Sequence, residues 1–231
     1  MVFVHRTSAS GKSYNPVFAD NDWATIIEAC HANEVPDEWV ADGTCYKDML
    51  INGTNYRIDI IGKNHDDLAD GTGKAPLTFQ LHDCYATIYA MNSSNTNSGG
   101  WTNCAMRSTH LPAILNLMPA EVKAAIREVQ KKTSAGSQSS SIQTTNDKLF
   151  LLSEIEIFGS TTYSFAGEGT QYAYYQAGNS KVKNVSVIAN TWWDRSPSYN
   201  NSTHFCCVYS NGDVYWGNAS SSIGVAFGFC F

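Results

Sequence analysis

Thr191-Trp-Trp-Asp-Arg-Ser-Pro197 and Gly224-Val-Ala-Phe-Gly-Phe-Cys-Phe231 bracket the stretch on which this chain turns, Ser198-Tyr-Asn-Asn-Ser-Thr-His-Phe-Cys-Cys-Val-Tyr-Ser-Asn-Gly-Asp-Val-Tyr-Trp-Gly-Asn-Ala-Ser-Ser-Ser222. A rigid aromatic block precedes it and an apolar strand follows. From Ser198 to Phe231 there is no Lys, Arg, Glu, Gln or Met. Tyr, Asn, Ser, Gly and His alternate there with a few apolar anchors. That palette suits a contact surface, because Tyr and Trp give rigid amphipathic area while Ser, Gly and Asn give adaptable hydrogen bonds. The segment reads as a displayed binding surface that the rest of the chain holds still.

A chain of 231 residues with 43% apolar and 12% aromatic content can bury one sizeable core. Charged residues make up 16%, below the usual share of about a quarter. A formal charge of -6 and a pI near 5.4 argue against nucleic acid as a partner, since phosphate recognition needs a basic face. The start, Met1-Val-Phe-Val-His-Arg-Thr-Ser-Ala-Ser-Gly-Lys12, has no apolar core of a secretory signal. No apolar run reaches the roughly 18 residues of a membrane span. The seven cysteines (Cys30, Cys45, Cys84, Cys104, Cys206, Cys207, Cys230) are odd in number and scattered, so they read as reduced, mostly buried thiols. Asn52-Gly-Thr and Asn201-Ser-Thr are discounted as glycosylation sites for the same reason.

Residues 1–20 read as an extended arm or first strand. Asn21 or Asp22 caps a helix whose apolar positions Trp23, Ile26, Ile27 and Cys30 share one face. Two apolar runs, Cys45–Ile51 and Tyr56–Ile61, flank Asn52-Gly53 and predict a hairpin. Leu77–Leu81 alternates as a strand, and Asn92–Gly100 is a loop ending on Trp101. Pro112 opens a second helix. Pro119 restarts it, with Val122, Ile126 and Val129 as the buried face. Ser134–Ser141 reads as a low-complexity surface loop, and Lys148–Leu152 as a strand. Ser153-Glu-Ile-Glu156 is a capping box, and Gly159 stops that short helix. Asn211-Gly212, between Phe205–Val208 and Val214, predicts another hairpin. The last strand should turn Val225, Phe227, Phe229 and Phe231 one way, and Ala226, Gly228 and Cys230 the other. The expected fold is one α+β domain over residues 1–231, with two main helices and short antiparallel sheets.

Three clusters invite chemistry. Asp59, His65, Asp66, Asp67 and Asp70 offer oxygens for a hard cation, but the spacing fits no EF-hand, and a solvated turn with Asp residues capping local amides is preferred. Cys206-Cys207 lack metal-ligand spacing, so the expectation is one packed thiol and one half-exposed. Glu154, Glu156 and Glu168 raise glycoside hydrolysis, which needs two carboxylates at a set separation; Glu156 already has a capping role. No nucleophile elbow, phosphate loop or zinc helix motif occurs. No catalytic residue, cofactor or metal site is assigned.

At Trp192–Pro197 and Gly224–Phe231, and in the blocks Ile51–Asp67, Gly99–Trp101, Met106-Arg107, Asp147–Glu154 and Gly167–Tyr172, the chain resembles the C-type-lectin-like variable proteins of diversity-generating retroelements. It is most similar to the phage and gut-bacterial subgroup with a Trp-Trp-x-Arg-Ser-Pro block. In such systems template adenines are replaced at random, so Asn codons give a restricted set that includes Asn, Ser, Tyr, His, Asp, Gly, Cys and Phe. Trp216 departs from that set and must come from another codon or an unvaried position. The resemblance implies a C-type-lectin-like fold with a small C-terminal sheet turned outward. It also implies a non-enzymatic receptor-binding role at a phage tail tip or on a bacterial surface; neither a lipidation motif nor a secretory signal is in view, which favours the virion.

On this reading the ligand-binding, variable positions within residues 198–222 are Tyr199, Asn200, Asn201, His204, Tyr209, Asn211, Asp213, Tyr215, Trp216, Asn218 and Ser220. The anchors are Trp192, Trp193, Arg195, Phe205, Val214 and Phe227, with Val208, Gly212 and Ala219 also in the fixed scaffold. The expected partner is a variable protein or glycan on a host or target cell, with other virion proteins possible and neither nucleic acid nor membrane bound. Two rivals remain: an enzyme of the formylglycine-generating or glycan-cleaving kind on the same fold, and a structural virion subunit. The lectin calcium motifs Glu-Pro-Asn and Gln-Pro-Asp are absent.

Overall fold

The computed structural model describes residues 12–40 and 45–231, so most of the predicted N-terminal arm lies outside the described residues. Within its remainder, Phe18–Asp20 forms a 3₁₀ turn that buries Phe18 against Trp39. Helix α1, Trp23–His31, starts where expected, because the Asp22 side chain accepts from the Thr25 amide at 2.7 Å. Its inner face, Trp23, Ile26, Ala29 and Cys30, is buried.

Strands β1 (Tyr46–Ile51) and β2 (Thr54–Lys63) pair antiparallel about Asn52 and Gly53. Both turn residues have positive φ, 49° and 79°, the geometry that makes Asn-Gly a hairpin signal. Strand β3 (Leu77–Leu81) adds to β2. Helices α2 (Gly100–Asn103), α3 (Leu111–Leu115) and α4 (Ala120–Ala125) follow, with a π-helical turn at Met106–His110. The second predicted helix is thus broken in two. Pro119 caps α4, which ends at Ala125, and Val129 already belongs to the next strand.

That strand, β4 (Val129–Gly136), pairs with β5 (Ser139–Asp147), which corrects the predicted surface loop at Ser134–Ser141. The turn is Ser137-Gln138, both at positive φ, while Ser134 is buried. Small side chains there allow close backbone approach: a Cβ on Gly136 (φ 74°) would lie 1.8 Å from the Asn97 carbonyl oxygen. Lys148–Leu152 is no strand. Leu149–Leu152 is buried and makes one bridge, Phe150 to Gly228, with Lys148 exposed.

The capping box forms as predicted at the start of α5 (Glu154–Phe158), and Gly159 ends it at φ 74°. Helix α6 (Ala173–Gln176), the small hairpin β6 (Lys183–Val185) and β7 (Ile188–Asn190), and strands β8 (Trp192–Pro197), β9 (His204–Val208) and β10 (Val214–Asn218) follow. The last three form a sheet in the order β10-β9-β8. The predicted final strand is confined to β11 (Gly228–Cys230), which returns beside β3 in a sheet ordered β1-β2-β3-β11. Both of its faces are buried, so alternation does not separate inside from outside. The protein is therefore α+β with small antiparallel sheets, and one apolar cluster extends from Phe18 to Phe231.

Candidate functional site

The Trp-Trp-Asp-Arg block builds the frame beneath the candidate face. Trp192 and Trp193 are fully buried, and their indole N–H groups donate to the carbonyls of Lys181 and Tyr89, each at 2.9 Å. Buried indoles need such partners. Arg195 is also fully buried. It grips Glu156 through Nη1–Oε2 at 2.5 Å and Nη2–Oε1 at 2.9 Å, and donates to the carbonyls of Leu151, Lys132 and Glu168. Burial acts to raise the Glu156 carboxyl, but Arg195 and then Lys131 outweigh it and hold it below its ordinary value. Asp66 joins the network through Lys131, the Thr78 hydroxyl at 2.5 Å and the Tyr172 hydroxyl at 2.9 Å.

Above this frame lies the predicted face. Tyr199, Asn200, Tyr209, Asn211, Asp213, Tyr215, Asn218 and Ser220 are exposed, and Asn201, His204 and Trp216 are half-buried. Phe205, Val208, Ala219 and Phe227 are buried, as expected of scaffold. Val214, predicted as an anchor, is only half-buried because it opens a strand at the rim of its sheet. The rings form a row. His204 stacks on Trp216 with centroids 4.1 Å apart and planes 7° apart, Trp216 on Tyr215 at 5.2 Å and 7°, and Tyr215 meets Tyr209 at 5.1 Å. Burial holds the His204 imidazole below its ordinary value, opposed by Asn218, so the ring is neutral at pH 7.

Sequence reasoning missed the residue that pins this face. Asn97 is fully buried, and its amide nitrogen donates to the carbonyls of Asn201 at 2.9 Å and His204 at 2.7 Å. Its backbone N–H donates to the Ser202 carbonyl at 2.7 Å, and its Oδ1 accepts from Ser137 at 2.8 Å. One side chain thus ties residues 201–204 to the β4–β5 turn. The only hint in the sequence was an Asn within a Ser/Asn/Gly loop.

The other candidate clusters are structural in their contacts. Asp59 and Asp66 depart from the expected solvated turn, being buried, and Asp59 bonds Arg57 at 2.7 Å and His82 at 2.6 Å, whereas Asp67 and Asp70 are exposed as expected. Asp67 pairs with Lys74 at 2.8 Å, and Asp70 with Arg127 while also accepting from the Thr72 amide. His65 stacks on Tyr172 at 4.1 Å. A cleft of about 370 Å³ opens here, between His65, Lys132 and Gly169, with Glu156 and Asp66 at its wall. Among the described residues no group of three or more His, Cys, Asp or Glu is arranged to hold a metal ion. Cys206 and Cys207 are both fully buried, correcting the expected half-exposed thiol, because both faces of β9 are covered. Burial pushes both thiols well up.

Each of the three glutamates has its own task. Glu154 accepts amides from Thr162, Tyr163 and Ser164. Glu156 braces Arg195. Glu168 accepts the Ser134 amide at 2.7 Å with Oε1, while its Oε2 is buried without a partner. Asp194 Oδ2 is likewise unpartnered, and burial raises both carboxyls, Asp194 far above the ordinary range. Both acids therefore hold their protons to higher pH than an ordinary carboxyl.

No helix among the described residues is long and apolar enough to cross a membrane. No curated protein and no solved structure matches the chain. Residues 78–230, which include the aromatic block, Asn97 and all of Ser198–Ser222, match the family described as "Domain of unknown function (DUF6273)". With more than half of its length in that match, the chain belongs to the DUF6273 family.

Proposed function

We propose that this protein is a non-enzymatic binding module with a C-type-lectin-like arrangement, whose Ser198–Ser222 face contacts a protein or glycan on a target cell. In the fullest form of the proposal, it is a phage tail-tip receptor-binding protein diversified by a retroelement. One observation carries the reading: none of the eleven positions assigned to the face is buried, while the strands beneath them are locked by Asn97, Arg195 and the two buried indoles. Side chains outside a rigid frame can change at little cost in stability, usually within about 0.5 kcal/mol each. The rival hydrolase reading is disfavoured because Glu154, Glu156 and Glu168 are each engaged as braces of that frame, Glu156 by Arg195 and Lys131 even though it borders the cleft.

The diversification is tested by sequencing the DNA beside the gene. The expected result is a near-repeat of the segment encoding Ser198–Ser222, differing mainly at adenines, next to a reverse transcriptase gene. A locus with no such repeat removes the retroelement and leaves only the binding face.

A further inference from the structure

The three-stranded sheet leaves one edge open. In the order β10-β9-β8, strand β10 has β9 on one side and no strand on the other. Among the described residues, no segment other than β9 hydrogen-bonds the backbone of Val214–Gly217. Three other sheet edges are protected. β11 is bridged by Arg127 and Phe150, and β8 is buried throughout, with main-chain bonds from Trp193 to Gly224 and from Arg195 to Leu152. β1 carries Lys47 and Asp48. Proteins blunt free edges with charge, Pro or bulges, and Val-Tyr-Trp-Gly-Asn has none; its pairing with β9 runs without a register shift.

The bonds at the ends of the hairpin fix which groups are free. Tyr209 N–H donates to the Asp213 carbonyl at 2.7 Å, and Ala219 N–H to the Thr203 carbonyl at 2.8 Å. Main-chain groups alternate sides along an antiparallel strand. Asp213, Tyr215, Gly217 and Ala219 therefore face β9, while Val214, Trp216 and Asn218 turn their N–H and C=O outward. The Asn218 carbonyl is taken by Ser221, which leaves Trp216 at the centre of the open edge.

We infer that β10 is a docking edge for an extended, neutral-to-basic peptide segment of the partner, which adds as a fourth strand beside Trp216. This rests on the reading of the same face as a binding surface. The occupant follows from the chemistry. Unpaired main-chain donors and acceptors spaced along about five residues are satisfied together by another strand at roughly 4.8 Å. The only charged side chain from Ser198 to Phe231 is Asp213, on a chain of net charge -6, so an acidic strand is repelled and a basic one attracted. The division of labour suits a variable face: backbone bonds give an affinity that survives side-chain change, and the ring row and its amides select among partners.

The test is amide hydrogen exchange by NMR on the ¹⁵N-labelled protein, free and with the octapeptide Lys-Thr-Val-Thr-Val-Thr-Val-Lys. In the free protein Val214 and Trp216 should exchange fast, and Tyr215 and Gly217 slowly. The peptide should slow Val214 and Trp216 at least tenfold, and a version with Glu at both ends should bind several-fold more weakly. Val214→Pro removes one outward N–H at a strand start, where Pro is tolerated; it should weaken binding about tenfold, with Val214→Ala within twofold. An unchanged Trp216 amide with peptide overturns the inference. So does a neutral hexasaccharide that shifts the Tyr209 and Tyr215 ring signals with the edge amides unmoved, or protection that grows with protein concentration alone, which marks a second copy as occupant. If the edge fails while Tyr→Ala changes on the face still abolish cell binding, the docking mode falls and the binding face stands.

Discussion

Arg195 and Glu156 form a two-pronged ion pair in the dry interior, reaching from strand β8 to helix α5 across 39 residues of sequence. The same carboxylate accepts the Ser153 amide at 3.0 Å, so one side chain caps a helix and holds strand β8. Removing either partner strands a buried charge, which typically costs about 3–5 kcal/mol. Arg195→Ala and Glu156→Ala are therefore expected to lower unfolding free energy by that order in urea titrations. Arg195→Lys should recover only part, because an ammonium lacks the planar fork. A loss under 1 kcal/mol in both alanine variants would show the pair to be dispensable.

Two sets of buried acids should give opposite pH signatures. Burial alone would raise Asp66, but the Lys131 ammonium and hydrogen bonds outweigh it and hold the carboxyl at about 2. Its contribution is full above an unfolded value of about 4 and is lost as pH falls towards 2. Asp194 is shifted upward by burial, with Glu154 adding to the shift, so its contribution is full below about 4 and is lost as pH rises. The stability gap between wild type and Asp66→Asn should thus shrink from pH 4 to pH 2. Asp194→Asn should gain on wild type as pH rises above 4, and this difference cancels the effects of His65, His110 and His204. Denaturant midpoints across that range check both, and an Asp194→Asn difference independent of pH would contradict the assignment.

Asn97 makes a sharper prediction about the face itself. Its deletion removes one of two bonds at each of the Asn201 and His204 carbonyls, which keep the His204 and Ser198 amides, and takes the side-chain acceptor from the Ser137 amide, at about 0.5–1.5 kcal/mol for each lost bond. Asn97→Ala should destabilise the fold by a few kcal/mol and speed amide exchange over residues 199–204 more than in β1 or β2. Uniform acceleration across the protein would mean that Asn97 holds the whole fold and not this segment.

Local signals in the sequence were enough for elements that close on themselves. Asp22 caps α1, Asn52-Gly53 turns β1 into β2, and Ser153 with Glu156 boxes α5, each within a few residues. What escaped depends on distant partners. Ser134–Ser141 reads as low complexity because its small residues carry no apolar pattern; their smallness admits the Asn97 carbonyl at Gly136. Asn97 itself bonds residues 104 and 107 positions away, which no spacing argument reaches. Cys206 and Cys207 were split between faces correctly in principle, yet both faces of β9 turned out to be covered. At the face, the residue types are legible, whereas the stacking of His204, Trp216 and Tyr215 depends on the β9–β10 register.

The most direct measurement compares stability and cell binding in one variant, Tyr199→Ala/Tyr209→Ala/Tyr215→Ala. These side chains are 42%, 46% and 42% exposed, so their removal takes little from the core. The account predicts a urea midpoint close to wild type together with at least a hundredfold loss of binding to target cells. A variant that unfolds at markedly lower urea, or one that keeps its full binding, would contradict it.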